Sequence, residues 1–168
     1  MKTLILMRHA KSDWNDPELT DHDRPLNGRG RRSAPLIAAQ LALHDLIPEF
    51  VLASSAVRVQ ETVTLLRNHF HSQIGDAPEV QTEPSLYLAS ASEIVSHIGT
   101  LHDAWTRVLV VGHNPGMGGL ACHLAQDSFD FPTAATLVLQ TRSRTWKDAV
   151  REDGWNLEHF WKPRELEP

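Results

Sequence analysis

Arg8 and His9 directly follow a short apolar run, Leu4 to Met7. Arginine carries a planar fork of donors that suits phosphate or carboxylate. Histidine can act as nucleophile, acid or base near neutral pH. Two later places repeat this arrangement. Phe50-Val51-Leu52-Ala53 runs into Ser54-Ser55-Ala56-Val57-Arg58, and Val108-Leu109-Val110-Val111 runs into Gly112-His113-Asn114-Pro115-Gly116. Two Arg and two His brought to one place make a pocket for a tetrahedral anion. Each residue alone also fits a solvated or packing role. Their shared position, directly after apolar runs, is what makes the set informative.

The elements that must position these residues follow from the pattern. A short apolar run bounded by polar residues fits a strand buried on both faces. Strands are predicted over 4–7, 50–53 and 108–111, with a short one near 80–82 and further ones over 135–140 and 155–161. Helical stripes lie between them: Ala34, Ile37, Ala38, Leu41 and Ala42; then Val59, Val63, Leu66 and Phe70. Ile94, Val95, Ile98 and Leu101 mark a third helix, and Met117, Leu120, Ala121, Leu124 and Ala125 a fourth. Pro35 requires the first helix to begin close to it or to bend there. Ser54 and Ser55 are placed to cap the second helix, with Arg58 in its first turn, where free N–H groups favour anions. Ser90 and Glu93 have capping-box spacing for the third. Asp13 to Gly30 reads as a long loop, with Asp21, Asp23 and Arg24 on a pocket rim or in solvent. Arg164 to Pro168 reads as a loose tail.

This order gives one α/β domain over residues 1–168, a three-layer α/β/α sandwich with a mostly parallel central sheet. Ligands of such sheets sit outside the carboxyl ends of the strands. The composition agrees with a single globular domain: 168 residues, 41% hydrophobic and 22% charged. A formal net charge of -5 argues against a general nucleic-acid binder. Cys122 is the one cysteine, so no intrachain disulfide can form, and the Cys and His spacings match no structural zinc pattern. No apolar run is long enough for a signal peptide core or a membrane span. A cytoplasmic protein without a membrane partner is expected.

Four motifs now stand in order. They are Arg8-His9 followed by Asn15; Leu26-Asn27-Gly28-Arg29-Gly30; Ser54-Ser55-Ala56-Val57-Arg58-Val59-Gln60-Glu61-Thr62; and Gly112-His113-Asn114-Pro115. Together they resemble the histidine phosphatase superfamily, the family of phosphoglycerate mutases and acid phosphatases. The resemblance runs to about Thr141. The short length, Arg8-His9-Ala10-Lys11-Ser12 and Asp23-Arg24-Pro25-Leu26 are most similar to the SixA-type phosphohistidine phosphatases. The resemblance implies a phosphoglycerate mutase-like fold. It implies that His9 takes the phosphoryl group as phosphohistidine, while Arg8, Arg58 and His113 hold its oxygens. Asn15 matches a pocket-lining residue, and Ser54 and Asn114 are further candidates for substrate binding. Neutral His9 needs its tautomer held, most simply by a backbone carbonyl. Two Arg and a protonated His113 would stand where many phosphoryl-transfer enzymes use a metal, so neither metal nor cofactor is expected. The implied partner is a phosphorylated protein or a small phosphorylated substrate, and a small open pocket is compatible with a monomer.

The general acid is where this chain departs from larger members. The acid-phosphatase branch has Asp after the second His, and here Asn114 stands there. The mutase branch uses a Glu in the segment matching Ser85 to Ser92, which holds no carboxylate here; Glu83 and Glu93 flank it. No dedicated acid is therefore expected. That penalises alkyl phosphates, whose alkoxide needs a proton, more than phosphohistidine, whose imidazole can leave neutral. The alternative is a phosphomonoesterase or mutase acting on a small phosphorylated metabolite. Gly116-Met117-Gly118-Gly119-Leu120-Ala121 fits a dinucleotide-binding pattern but lacks a following strand that ends in a ribose-binding acid. A non-catalytic phosphate binder would not need all four of Arg8, His9, Arg58 and His113. Trp14 and Tyr87 wall the pocket or join the core. Lys11 and Arg24 reach toward a phosphoprotein or into solvent. The remaining histidines have no context that singles them out.

Overall fold

β1 (Lys2–Arg8) shows why the sheet is buried on both faces. Its side chains alternate, as strand geometry requires. Ile5 and Met7 join one apolar cluster, while Leu4 and Leu6 join a second on the opposite face. Each such residue contributes about 1.5–3 kcal/mol on burial. This computed structural model describes residues Met1–Pro168.

The chain continues through α1 (Gly28–Leu43), β2 (Phe50–Ser54), α2 (Val57–Ile74) and β3 (Glu79–Glu83), then α3 (Ala91–Ile98) and β4 (Arg107–Gly112). It ends with α4 (Gly116–Ala125), β5 (Thr136–Thr141), α5 (Trp146–Ala149) and β6 (Asn156–Trp161). Six strands form one sheet in the order β3-β2-β4-β1-β5-β6. β3, β2, β4 and β1 run parallel, and β5 runs antiparallel to both β1 and β6. α1 and α2 cover one face through Ile37, Leu41, Val63, Leu66 and Phe70. α3, α4 and α5 cover the other through Ile94, Ile98, Leu120 and Trp146. The fold is a mixed α/β sandwich with a mostly parallel central sheet. β1 and β4 lie side by side, with Arg8 paired to Gly112, so their carboxyl ends open at one place.

Three local expectations need correction, and one element was not expected. α1 starts at Gly28, capped by the Asn27 side chain accepting from the Gly30 amide. Pro35 therefore lies well inside the helix, where it cannot donate the usual backbone bond. Ser54 and Ser55 do not act as the N-cap of α2; that position is Ala56, which has no side-chain cap. Both hydroxyls are held by histidines instead: Ser54 by His113 and Ser55 by His22. α5 was not foreseen; its single turn is capped by Thr145. The C-terminal segment is no loose tail, because Pro163 is buried and Leu166 packs against the α1–α2 core.

Candidate active site

β1 ends by delivering Arg8 and His9, and three neighbours fix them there. The His9 amide donates to Gly112 O at the end of β4, and the Arg8 amide donates to Ala135 O just before β5. The carbonyls of both residues accept from the Ala134 amide. Ala134 itself sits at a positive φ of 60°. A non-glycine residue there is held against its preference by its surroundings, a pattern that clusters at functional sites.

α2 supplies the next layer. Arg58 and Thr62 are four residues apart and lie on one helix face. Thr62 Oγ1 accepts from the Ala10 amide and donates back to Arg58 O. The Ala10 peptide so fixed presents its carbonyl to His9 Nδ1 at 2.7 Å. Nδ1 therefore carries the proton and donates. The other ring nitrogen, Nε2, accepts from Arg58 Nε at 3.2 Å. The free electron pair of His9 thus faces the pocket, beside a guanidinium. This is the carbonyl-fixed tautomer that an imidazole nucleophile needs.

His113 is fixed in the opposite sense. Its Nδ1 accepts from Arg58 Nη2 at 3.3 Å, which leaves Nε2–H to donate to Ser54 Oγ at 2.8 Å. The two rings stand 5.2 Å apart. Burial is the first cause that lowers both pKa values, and the Arg58 charge adds to it. His9 falls to about 3 and His113 to about 4. Both imidazoles are therefore neutral near pH 7. The expectation of a protonated His113 is corrected, because burial first, and then the Arg58 guanidinium, oppose a charge on that ring.

Arg58 is 2% exposed and needs fixed acceptors. They come from the loop between β1 and α1. Asp21 accepts from Arg58 Nη2 at 3.0 Å through its carboxylate and from Nη1 at 2.6 Å through its carbonyl. Tyr87 OH and Arg24 also donate to the Asp21 carboxylate. These hydrogen bonds, that of Tyr87 foremost, hold the carboxyl well below its ordinary value. Arg24 is 6% exposed, donates to Ser12 Oγ at 2.6 Å and stacks on the Trp14 ring at 3.4 Å. It is part of the pocket wall rather than a solvated cation. Trp14 walls the pocket from outside, and Tyr87 stands edge-on behind His113.

The result is a cavity of about 210 Å³ lined by Arg8, His9, Arg24, Arg58 and His113, together with Lys11, Asn114 and Thr133. No Asp or Glu lines it. Arg8 Nη1 donates to Phe131 O at 3.3 Å, but its buried Nε has no partner. A buried donor left unpaired costs free energy that an incoming acceptor can recover. Asn114 lines the pocket with its amide committed to Phe131 O and the Gly118 amide.

Two candidates lie elsewhere. Asn15 is exposed and lines a separate depression with Asp13, Asp16 and Pro17, because the chain turns outward after Trp14. Ser54 is fully buried behind His113 and orients that ring without facing the pocket. Glu83 accepts from Ser85 and Glu93 from Ser90; these bonds hold both carboxyls low, and neither lines the cavity. Sequence left Asp21 and Arg24 on a pocket rim or in solvent and named Thr62 only within a motif, so the bonds they make here were not foreseen. The length of the polar loop was the available signal for the first two.

Known proteins share this arrangement of chain and fold. The family model of the histidine phosphatase superfamily (branch 1) matches residues 4–86. An uncharacterised protein of Mycobacterium tuberculosis is 36% identical over 153 residues, covering 84% of this chain and 90% of its own. A protein from Agrobacterium tumefaciens, assigned as the phosphohistidine phosphatase SixA, superposes with a TM-score of 0.81 at 27% identity, covering 96% of this chain and 98% of its own. One from Nakamurella multipartitia with the same assignment gives 0.81 at 26% identity, covering 96% of each chain. Sequence family, sheet order and a cationic pocket that presents imidazole lone pairs lead to one conclusion: the chain belongs to the histidine phosphatase superfamily and is a phosphatase with a histidine nucleophile.

Proposed function

We propose that this phosphatase removes the phosphoryl group from phosphohistidine in a protein, through His9 and without a metal. The observation that carries the reading is the absence of any carboxylate among the residues lining a pocket that otherwise holds three arginines and two histidines. Phosphoryl transfer needs an in-line nucleophile and positive charge around the equatorial oxygens. It needs a general acid only when the leaving group cannot depart without one.

His9 attacks with Nε2, while Nδ1–H stays on the Ala10 carbonyl. The new bond is Nε2–P, and the bond that breaks is the P–N bond of the substrate. The displaced imidazole, already protonated on its other nitrogen, leaves neutral. Arg8 and Arg58 take the phosphoryl oxygens, and Arg58 Nε shifts from His9 to the anion. With a dianion between the guanidiniums, the cost of charging His113 falls. His113 then takes up a proton at Nδ1 and donates it in a hydrogen bond to the phosphoryl oxygen, with Nε2–H still on Ser54. Water attacks phosphorus in the second step, His9 Nε2 departs with its electron pair, and the proton from water ends on the released phosphate or in solvent.

The test compares phosphate release from a phosphohistidine peptide and from a simple alkyl phosphate, with His9→Ala as control. Quenched samples are examined by mass spectrometry for phosphate on His9. Turnover of the peptide alone, with label on His9, is expected. Comparable turnover of the alkyl ester would move the reading to a phosphomonoesterase and require an acid outside the cavity lining.

A further inference from the structure

We propose that a basic groove beside the pocket binds acidic side chains flanking the phosphohistidine of the substrate protein. This rests on the reading of the phosphoryl pocket above and adds a second binding site to it.

A second cavity, of about 460 Å³, adjoins the first and shares Arg8, Lys11 and Thr133 with it. No hydrophobic residue lines it. Its remaining cations are Arg29, Lys162 and Arg164, and its carboxylates are Asp130 and Glu165. Lys162 stands 3.9 Å from Glu165, at the outer limit of an ion pair. Lys11, Arg29 and Arg164 have no carboxylate within 4.0 Å. Their side chains donate no hydrogen bond to the protein either. In a chain of net charge -5, five cations against two carboxylates in one concavity are a local excess of positive charge. A concave, low-dielectric wall focuses their field on whatever enters.

The groove is built rather than incidental. Arg29 is the second residue of α1, whose first turn holds no acidic side chain, so the helix dipole adds to its charge. Lys162 and Arg164 come from the far end of the sequence. Buried Pro163 lies between them, and Leu166 anchors the segment on the α1–α2 core. The start and the end of the chain thus meet at the rim of one pocket.

The lining decides among occupants. With no aromatic or branched aliphatic side chain in its lining, the groove offers an aromatic or nucleobase leaving group little to stack on. The phosphoryl group itself belongs in the inner cavity, on Arg8, Arg58 and His113. The outer cations are long side chains on two separate segments, α1 and the C-terminal turn, with Arg164 exposed. Such a rim suits carboxylates dispersed on a protein surface better than one compact anion. Complementary charge of this kind chiefly raises encounter rate and selects partners.

The experiment uses two phosphohistidine peptides that differ only in flanking residues, Glu in one and Gln in the other. The Glu peptide is expected to have a kcat/KM about tenfold higher at low salt, with the difference collapsing near 0.5 M salt as screening shortens. The same collapse is expected in Lys162→Gln/Arg164→Gln, while turnover of phosphoimidazole, which has no second anion, stays within twofold. Equal rates for the two peptides in the unaltered enzyme would overturn the groove but leave the phosphohistidine reading intact. Failure of both peptides and phosphoimidazole to turn over would overturn that reading. The groove would then be judged by binding of the same peptides carrying a non-hydrolysable phosphonate. A Glu preference that the double variant loses sustains it. Equal affinities, or binding of tripolyphosphate without any peptide preference, overturn it.

Discussion

Lys2, at the amino ends of the strands, and Arg58, at the carboxyl ends, are each 2% exposed. Their donors are used differently. Lys2 Nζ donates to Asp103 O at 2.6 Å and Trp105 O at 2.8 Å, and lies 5.3 Å from the centre of the Trp146 ring. Those acceptors are fixed backbone, and nothing that diffuses in could replace them. Arg58 gives two donors to imidazole lone pairs, on His9 and His113. Its neighbour Arg8 has a buried Nε with no partner. These are bonds that an oxyanion can displace or complete. Cavity size points the wrong way: about 760 Å³ near the amino ends, beside Glu49 and Arg107, against about 210 Å³ at the site. Glu49 at that end is already occupied by Thr106 and the Arg107 amide. Arg107 Nε at that end is also buried without a partner, so neither volume nor one unpaired donor separates the two ends; guanidinium bonds to two imidazole lone pairs do.

Exchanging each cation for an uncharged side chain of similar length tests this contrast. Arg58→Met is expected to lower kcat/KM on a phosphohistidine substrate by about 10³–10⁵, the range for an arginine that stabilises a phosphoryl transition state. Its urea midpoint is expected to move little, because water can reach the Asp21 acceptors on their exposed loop and the variant relieves repulsion between Arg58 and Arg8. Lys2→Met should do the reverse. Stranding the Asp103 and Trp105 carbonyls is expected to cost about 1–3 kcal/mol in urea unfolding, with kcat/KM unchanged. A Lys2 variant with impaired turnover, or an Arg58 variant that only loses stability, would erase the distinction.

Acid sharpens the same contrast. The ordinary value for histidine is 6.5, and the folded site holds His9 near 3 and His113 near 4. Below about 6.5 the unfolded chain binds protons that the folded chain refuses, so stability falls with pH from there to the folded values. His113→Gln removes one such group. Urea midpoints measured at pH 7.5 and pH 5 should therefore drop less in the variant than in the unaltered protein. Inorganic phosphate should raise the His113 pKa in an NMR titration, since the anion compensates the charge that burial and Arg58 oppose. Equal midpoint drops would mean that His113 is not a group the fold keeps from charging, and a His113 resonance indifferent to phosphate would mean that the ring does not face the anion.

What the sequence disclosed depended on how local each feature is. Leu4 to Met7 and Val108 to Val111 announce themselves as strands, and the residues after them are necessarily at one edge of a parallel sheet. The Arg8, His9, Arg58 and His113 cluster was legible for that reason. Ser54 was misread because a serine before a helix caps it by default, and only the fold reveals that His113 competes for the hydroxyl. Asp21 and Tyr87 are 66 residues apart, and no periodicity links them. The docked Pro163–Glu165 turn was missed because its anchors, Pro163 and Leu166, are too few to make a pattern. Pro35 misled in the opposite direction, since tertiary burial of Ile37, Ala38 and Leu41 carries α1 through a residue that disfavours it.

The smallest expected effect concerns the loop that braces the site. Asp21 links Arg58, Arg24 and Tyr87, yet its side chain is 43% exposed. Solvent screens such a pair, so its loss should cost only about 1 kcal/mol. Asp21→Asn keeps the shape and one amide oxygen able to accept from Tyr87 or an arginine, but removes the charge. The expected result is a three- to tenfold fall in kcat/KM, the kinetic equivalent of roughly 1 kcal/mol. The fall should appear in kcat more than in KM, because a looser guanidinium matters most when charge builds up on the phosphoryl oxygens. Asp21→Ala should cost more, since Arg58 Nη2 then loses its carboxylate acceptor and keeps only His113 Nδ1. A fall confined to KM would assign Asp21 to ground-state binding. A loss as deep as that of Arg58→Met would make the carboxylate part of the chemistry, and the open end of the sheet would then need its loop as much as its strands.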